Sequence, residues 1–236
     1  MANPPESLAP ASAFRSAHRV VFLVFLLAFA ATFSLAVSGS TSAIFYPLLV
    51  TLLLSAIATT LFSLSQSLPV QNLLTIAALV GFLSSLAEII NLKTHFPFGH
   101  RVWTGNLGPQ LFHLLPWPIP LIWIVVILNS RGVAAFLLRP WRALRNYGLL
   151  SLALTALLTA VFDLGLEHFA AANHLWTWPG SKIAPWSNFP GCALVSAVIL
   201  VIITPWLIIK KPAPPPPDYH PLIVWFLLLG LLAVQR

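Results

Sequence analysis

Charge is scarce in this chain, and negative charge most of all: 236 residues hold five acidic side chains against twelve basic ones. With 7% charged residues, 58% apolar ones and a mean hydropathy of +0.90, there is too little polar surface to coat a soluble globule of this length. One cysteine, Cys192, excludes an intramolecular disulfide and a multi-cysteine metal site. Glycine-rich phosphate loops and serine nucleophile elbows are absent, as is any fixed-period repeat. The formal charge of +7 is scattered between apolar runs without a basic face, so no nucleic-acid partner is expected. His95, His100, His168 and His174 lack the tight pairs of a membrane di-iron enzyme, so neither a metal nor another cofactor is expected.

What remains is apolar sequence in membrane-length runs. Seven stretches stand out: Val20 to Val37, Ile44 to Leu64, Leu73 to Ile90, about Leu111 to Leu128, Leu149 to Leu166, Cys192 to Ile209 and the shorter Leu222 to Val234. At about 1.5 Å per residue, the longer ones reach close to 30 Å, the thickness of a bilayer core. Pro116, Pro118 and Pro120 are expected to break or kink the first half of the fourth. The fold class is therefore all-α: a polytopic membrane bundle of six or seven transmembrane helices. Residues 1–13 read as a disordered lead-in, 14–210 as the membrane domain, and 211–236 as a proline-rich linker, Pro212 to Pro217, with a short last helix.

Basic residues set an orientation. With a cytoplasmic N-terminus, the inside collects Arg15, Arg19, Arg131, Arg139, Arg142, Arg145, Lys210 and Lys211, and the outside keeps Lys93, Arg101, Lys182 and Arg236. An integral protein of a prokaryotic cytoplasmic membrane, bounded by lipid, is the expectation.

Three of the five acids, Glu88, Asp163 and Glu167, lie in or at the ends of these spans. A carboxylate near the bilayer centre costs roughly 2.5–3.5 kcal/mol, so acids placed there mark a site. In the expected topology they converge on the extracytoplasmic side with two polar loops. The first carries Asn91, Lys93 and His95, then Pro97 and Gly99, which end the helix and force a turn. Irregular backbone at that depth needs cover by protein or a wet cavity, so re-entrant or capping loops are expected. The second carries Trp176-Thr177-Trp178 and Ser187-Asn188-Phe189. Asp163 and Glu167, four apart, share a helix face about 6 Å from each other. Carboxyls that close in a poorly hydrated site tend to share a proton, which supplies a general acid.

The two blocks together resemble the membrane carotenoid-biosynthesis family containing carotenoid 1',2'-hydratases and bisanhydrobacterioruberin hydratases. The resemblance covers about residues 73–210. It rests on Glu88 with Lys93-Thr94 and Phe96-Pro97-Phe98-Gly99, Leu107-Gly108-Pro109, Asp163-Leu164-Gly165-Leu166-Glu167, Trp176-Thr177-Trp178, and Ser187-Asn188-Phe189 with Gly191. The chain departs from the family pattern at His168, where the family favours Pro, at Arg101 and Trp103, where it favours Tyr, and at Cys192, where it favours Trp.

The resemblance implies hydration of the isopropylidene end of an acyclic or monocyclic carotenoid, with water as co-substrate and other carotenoid enzymes as neighbours. Protonating a trisubstituted alkene leaves a tertiary carbocation that water captures. Asp163, deeper in its span than Glu167, is the expected acid, since desolvation favours its neutral form. Glu88 or Glu167 would orient and deprotonate the water. Phe98, Trp103, Trp176 and Trp178 would offer ring faces to the cation, each worth about 0.5–2 kcal/mol. Asn91, Lys93 and Asn188 complete the candidate substrate-binding set.

Competing readings stand beside these. Tryptophans at span ends also form interfacial belts. Asp163 and Glu167 can form a structural polar pair satisfied by Asn91, Lys93 or Arg101, and intramembrane acids also serve proton-coupled carriers. A cyclase-type isomerase would begin from the same protonated alkene, and a non-catalytic scaffold for carotenoid enzymes is a further class.

Overall fold

The computed structural model of the protein describes residues 8–39, 44–181, 183–208 and 218–234, with residues 8–15 as backbone alone. The proline run 212–217, Lys182, Lys210, Lys211 and Arg236 lie outside the described residues. Among those described, seven helices run in the order α1 (Leu8–Ser38), α2 (Phe45–Ser65), α3 (Val70–Thr94), α4 (Pro118–Leu137), α5 (Tyr147–Ala172), α6 (Asn188–Leu207) and α7 (His220–Ala233). Six are long and apolar enough to cross a membrane. At 14 residues, α7 reaches about 21 Å and falls short of a full crossing. This is the all-α bundle that composition demands. The backbone of α1 begins at Leu8, inside the stretch that the sequence assigns to a lead-in.

The fourth span needs correction. Residues 111–116 are not helical: β2 (Gln110–Leu111) and β3 (Leu115–Pro116) form a small antiparallel hairpin, and the helix starts at Pro118. The prolines do not kink it. Pro118 occupies the first turn of α4, where a missing N–H breaks no intrahelical bond and the fixed φ favours helix entry. The span then extends to Leu137, well past the expected Leu128.

Helix α4 is the central strut, touching α2, α3, α5 and α7, and its run from Trp123 to Ser130 is continuously buried. Helix α6 packs between α3 and α5, while α1 lies against α2 and α7. The outer faces are apolar, with large side chains such as Phe82, Leu157 and Phe226 exposed. With alternating spans, the C-terminal ends of α3 and α5 and the N-terminal ends of α4 and α6 meet at one end of the bundle. The Arg139–Arg145 turn joins α4 to α5 at the other.

Loops cap the first end. Strand β1 (Val102–Trp103) pairs antiparallel with β4 (Trp176–Thr177), with Val102 opposite Thr177 and Trp103 opposite Trp176, which ties the α3–α4 loop to the α5–α6 loop. Asn91 holds the turn beneath: its Oδ1 accepts from the Phe98 and Gly99 amides at 2.9 and 3.2 Å, and its Nδ2 donates to the Gly99 carbonyl at 2.9 Å. Gly99 sits at φ +111°, a conformation side chains rarely adopt. At Gly191, a Cβ would stand 2.6 Å from the Pro97 carbonyl oxygen, so only glycine lets the start of α6 close against this turn.

Candidate active site

Beneath that cap the three intramembrane acids come together around one arginine. Glu88 on α3, Asp163 and Glu167 on α5, and Arg101 in the loop after α3 are all buried. The Arg101 guanidinium forms an ion pair with Glu88 through Nη2 and faces Glu167 through Nη1 at 3.7 Å. Burial works against its charge, but the facing Glu88 and Glu167 carboxylates outweigh that and raise the Arg101 pKa above its ordinary value.

Four rings enclose the same guanidinium. Its central carbon lies 4.3 Å from the Trp103 ring centroid, 5.2 Å from Trp176, 5.5 Å from Phe98 and 5.6 Å from Trp178. These are the rings that the sequence assigns to a carbocation. In the structure their cation is Arg101, and they form its cage.

The carboxylates differ in how fully they are engaged. Glu167 is saturated: Trp176 and Trp178 donate their indole N–H groups to Oε2 at 2.9 and 2.8 Å, and Asn188 donates to Oε1 at 3.3 Å. Glu88 accepts from Arg101 and from the Trp123 indole at 3.2 Å. Asp163 has no guanidinium partner; it accepts from Asn188 Nδ2 and bonds the Cys192 thiol. Charge–dipole bonds of this kind contribute about 1.5–3 kcal/mol each, which fits a cluster held rigid in a site where water is scarce.

A small cavity of about 30 Å³ opens beside Asp163, lined among others by Glu88, Arg101, Trp123, Thr159, Trp176 and Cys192. Roughly 10–15 Å³ accommodates one water, so this chamber has room for about two and none for a long polyene. Glu167 is not part of its lining.

Of the residues singled out in the sequence, Glu88, Asp163, Glu167, Phe98, Trp103, Trp176, Trp178 and Asn188 therefore meet in one cluster. Asn91 is turned to the loop backbone and acts as its staple. Lys93 is exposed on the last turn of α3. Sequence reasoning missed Trp123 and Cys192 as members and left Arg101 as one of several possible partners. A charge count held the signal for Arg101: three acids at one dry end need a cation, and of the basic residues there only Arg101 is flanked by aromatics, Phe98 and Trp103, that can cover it.

The bundle and its buried acid cluster define an integral membrane protein with a polar site under a capped end. A family model described as carotenoid biosynthesis protein matches residues 43–232, and the chain belongs to that family. Over 117 residues it is 28% identical to the bisanhydrobacterioruberin hydratase of Haloarcula japonica, a match spanning 49% of this chain and 39% of that protein. The chain thus matches well under half the length of that curated relative. No solved structure matches it.

Proposed function

We propose that this protein adds water to the isopropylidene end of an acyclic carotenoid. The observation that carries the reading is the asymmetry among three buried carboxyls: the guanidinium engages Glu88 and Glu167, while Asp163 stands outside its reach beside a chamber sized for water. One cation facing two carboxylates already leaves a negative charge in excess, so a third ionised carboxylate would add a further uncompensated charge in a dry site. Asp163 retains its proton and delivers it.

In the reaction, the Asp163 carboxyl gives its proton to the CH carbon of the terminal alkene, and the π electrons form the new C–H bond. Positive charge collects on the carbon bearing two methyl groups. A chamber water attacks that carbon, forming a tertiary alcohol, and its surplus proton passes to a carboxylate. Glu88 suits this task better than Glu167, because it lines the chamber whereas Glu167 is saturated by two indoles, Asn188 and Arg101. The proton then returns to Asp163 through the chamber. Trp123 and Trp176, which also line it, offer aromatic surface to the transient cation. Arg101 holds both glutamates in place, a preorganised arrangement of the kind that lowers barriers in water-poor sites.

The arginine distribution supports an orientation with the Arg139–Arg145 turn in the cytoplasm and the acid site toward the opposite face of a prokaryotic cytoplasmic membrane. The reading is tested by expressing the chain in a host that makes lycopene or γ-carotene. Pigments should gain one water per reacting end with unchanged visible absorption, because the reacting double bond is isolated from the conjugated system. Ring formation without gain of oxygen would replace the hydratase with a cyclase starting from the same protonated alkene. Unaltered pigments would favour a carrier.

A further inference from the structure

The water-sized chamber has a larger neighbour. A cleft of about 130 Å³ lies between α2, α4, α5 and α7, with half-buried Leu49, Val50 and Leu53 of α2 on its outer side. Its lining is apolar apart from Tyr46, whose hydroxyl donates to the Leu107 carbonyl at 3.1 Å. Chamber and cleft share four residues, Ile122, Val126, Phe162 and Leu166, which form one partition with acids on one side and hydrocarbon on the other.

Helix α5 builds both sides. Thr159, Asp163 and Glu167 repeat every four residues and form its polar stripe, while Phe162, Leu166 and Phe169 form the adjacent apolar one. A site for an apolar ligand is expected to be mostly hydrocarbon with a few polar groups placed where orientation or chemistry is needed, and this cleft meets its polar groups only beyond the partition.

Resting on the hydratase reading, we propose that the cleft holds the conjugated chain of a linear carotenoid arriving from the lipid, and that Ile122, Val126, Phe162 and Leu166 are the threshold passing its acyclic end group toward Asp163. The division of space supports this occupant. The chamber takes water but not a polyene, the cleft is lined by hydrocarbon, and the shared partition is where alkene and acid can meet.

Pigment retention separates this inference from the chemistry. Purified wild-type protein and Asp163→Asn, loaded in detergent with lycopene, should both carry pigment. Leu53→Trp, which fills the cleft from its outer side, should lower retained pigment at least about tenfold, near 1.4 kcal/mol of binding, while Leu53→Ala keeps it. Ile122→Phe should hold pigment yet convert little of it. Where Leu53→Trp does not accumulate, Leu53→Cys serves, and lycopene should slow its labelling by a lipid-soluble maleimide. Full retention by a stable Leu53→Trp, unprotected labelling of Leu53→Cys, or a wild-type cleft carrying only phospholipid would overturn the proposal. Pigment lost in Leu53→Trp, with a wild type that never adds water, would keep the cleft and remove the hydratase.

Discussion

Asp163→Asn should lower carotenoid hydration by about 10²–10⁴-fold, the usual contribution of a general acid, while the protein inserts and accumulates as before. Asparagine keeps the size of the side chain and its place between Asn188 and Cys192 but has no proton to deliver to an alkene. Product formed in isolated membranes, normalised to the amount of protein, checks it. Glu88→Gln should also impair turnover, and the double variant should cost less than the two single losses combined, because acid and water-positioning carboxylate serve one step. Unchanged turnover in Asp163→Asn would take the acid out of the site and leave Asp163 as a structural partner of Asn188.

Removing Arg101 should have the largest effect on stability. Arg101→Gln leaves Glu88 and Glu167 buried without their cation and empties the cage of Phe98, Trp103, Trp176 and Trp178. Breaking a buried ion pair from one side costs about 3–5 kcal/mol, which for a chain of this size corresponds to a fall in Tm of roughly 10 °C. Arg101→Lys should recover only part of it, since an ammonium cannot reach two carboxylates and stack flat on an indole as a guanidinium does. Thermal unfolding in detergent checks both, and adding Glu88→Gln to Arg101→Gln should restore some stability by removing one stranded charge. A Tm unchanged in Arg101→Gln would mean that the arginine is not holding the cluster.

Much of the architecture was legible because lipid imposes a simple rule: apolar runs of sufficient length become helices, and α1, α2, α3, α5 and α6 lie close to where hydropathy places them. The fourth span was misplaced because the hairpin Gln110–Pro116 is nearly as apolar as a helix. Hydropathy does not distinguish a short strand from a helical turn; Pro116 lies upstream of the helix start, and Pro118 and Pro120 fall in the first turn of α4, where proline is tolerated without a kink. The acids were legible for the opposite reason, since a carboxylate in such a run stands out. Asp163 and Glu167 needed only helical spacing to be joined.

The cage was not legible, because nothing local ties Arg101 to Trp178 or Trp123 to Glu88. Those contacts exist because β1 pairs with β4 and because α4 starts at Pro118, which sets Trp123 beside α3. The sequence assigned the tryptophans to a substrate cation; in the structure Trp103, Trp176 and Trp178 surround the guanidinium of Arg101. On the proposed hydratase reading, the chemistry lies further in, at the chamber walls formed by Asp163, Glu88, Trp123 and Trp176.

The source of the new oxygen tests the central claim most directly. Membranes containing the protein and an acyclic carotenoid, incubated in ¹⁸O-labelled water under ordinary oxygen, should yield a tertiary alcohol carrying the label, with one deuterium on the neighbouring carbon when the solvent is deuterated. Label arriving from molecular oxygen instead, with none from water, would mean an oxidative hydroxylation and would contradict protonation by Asp163.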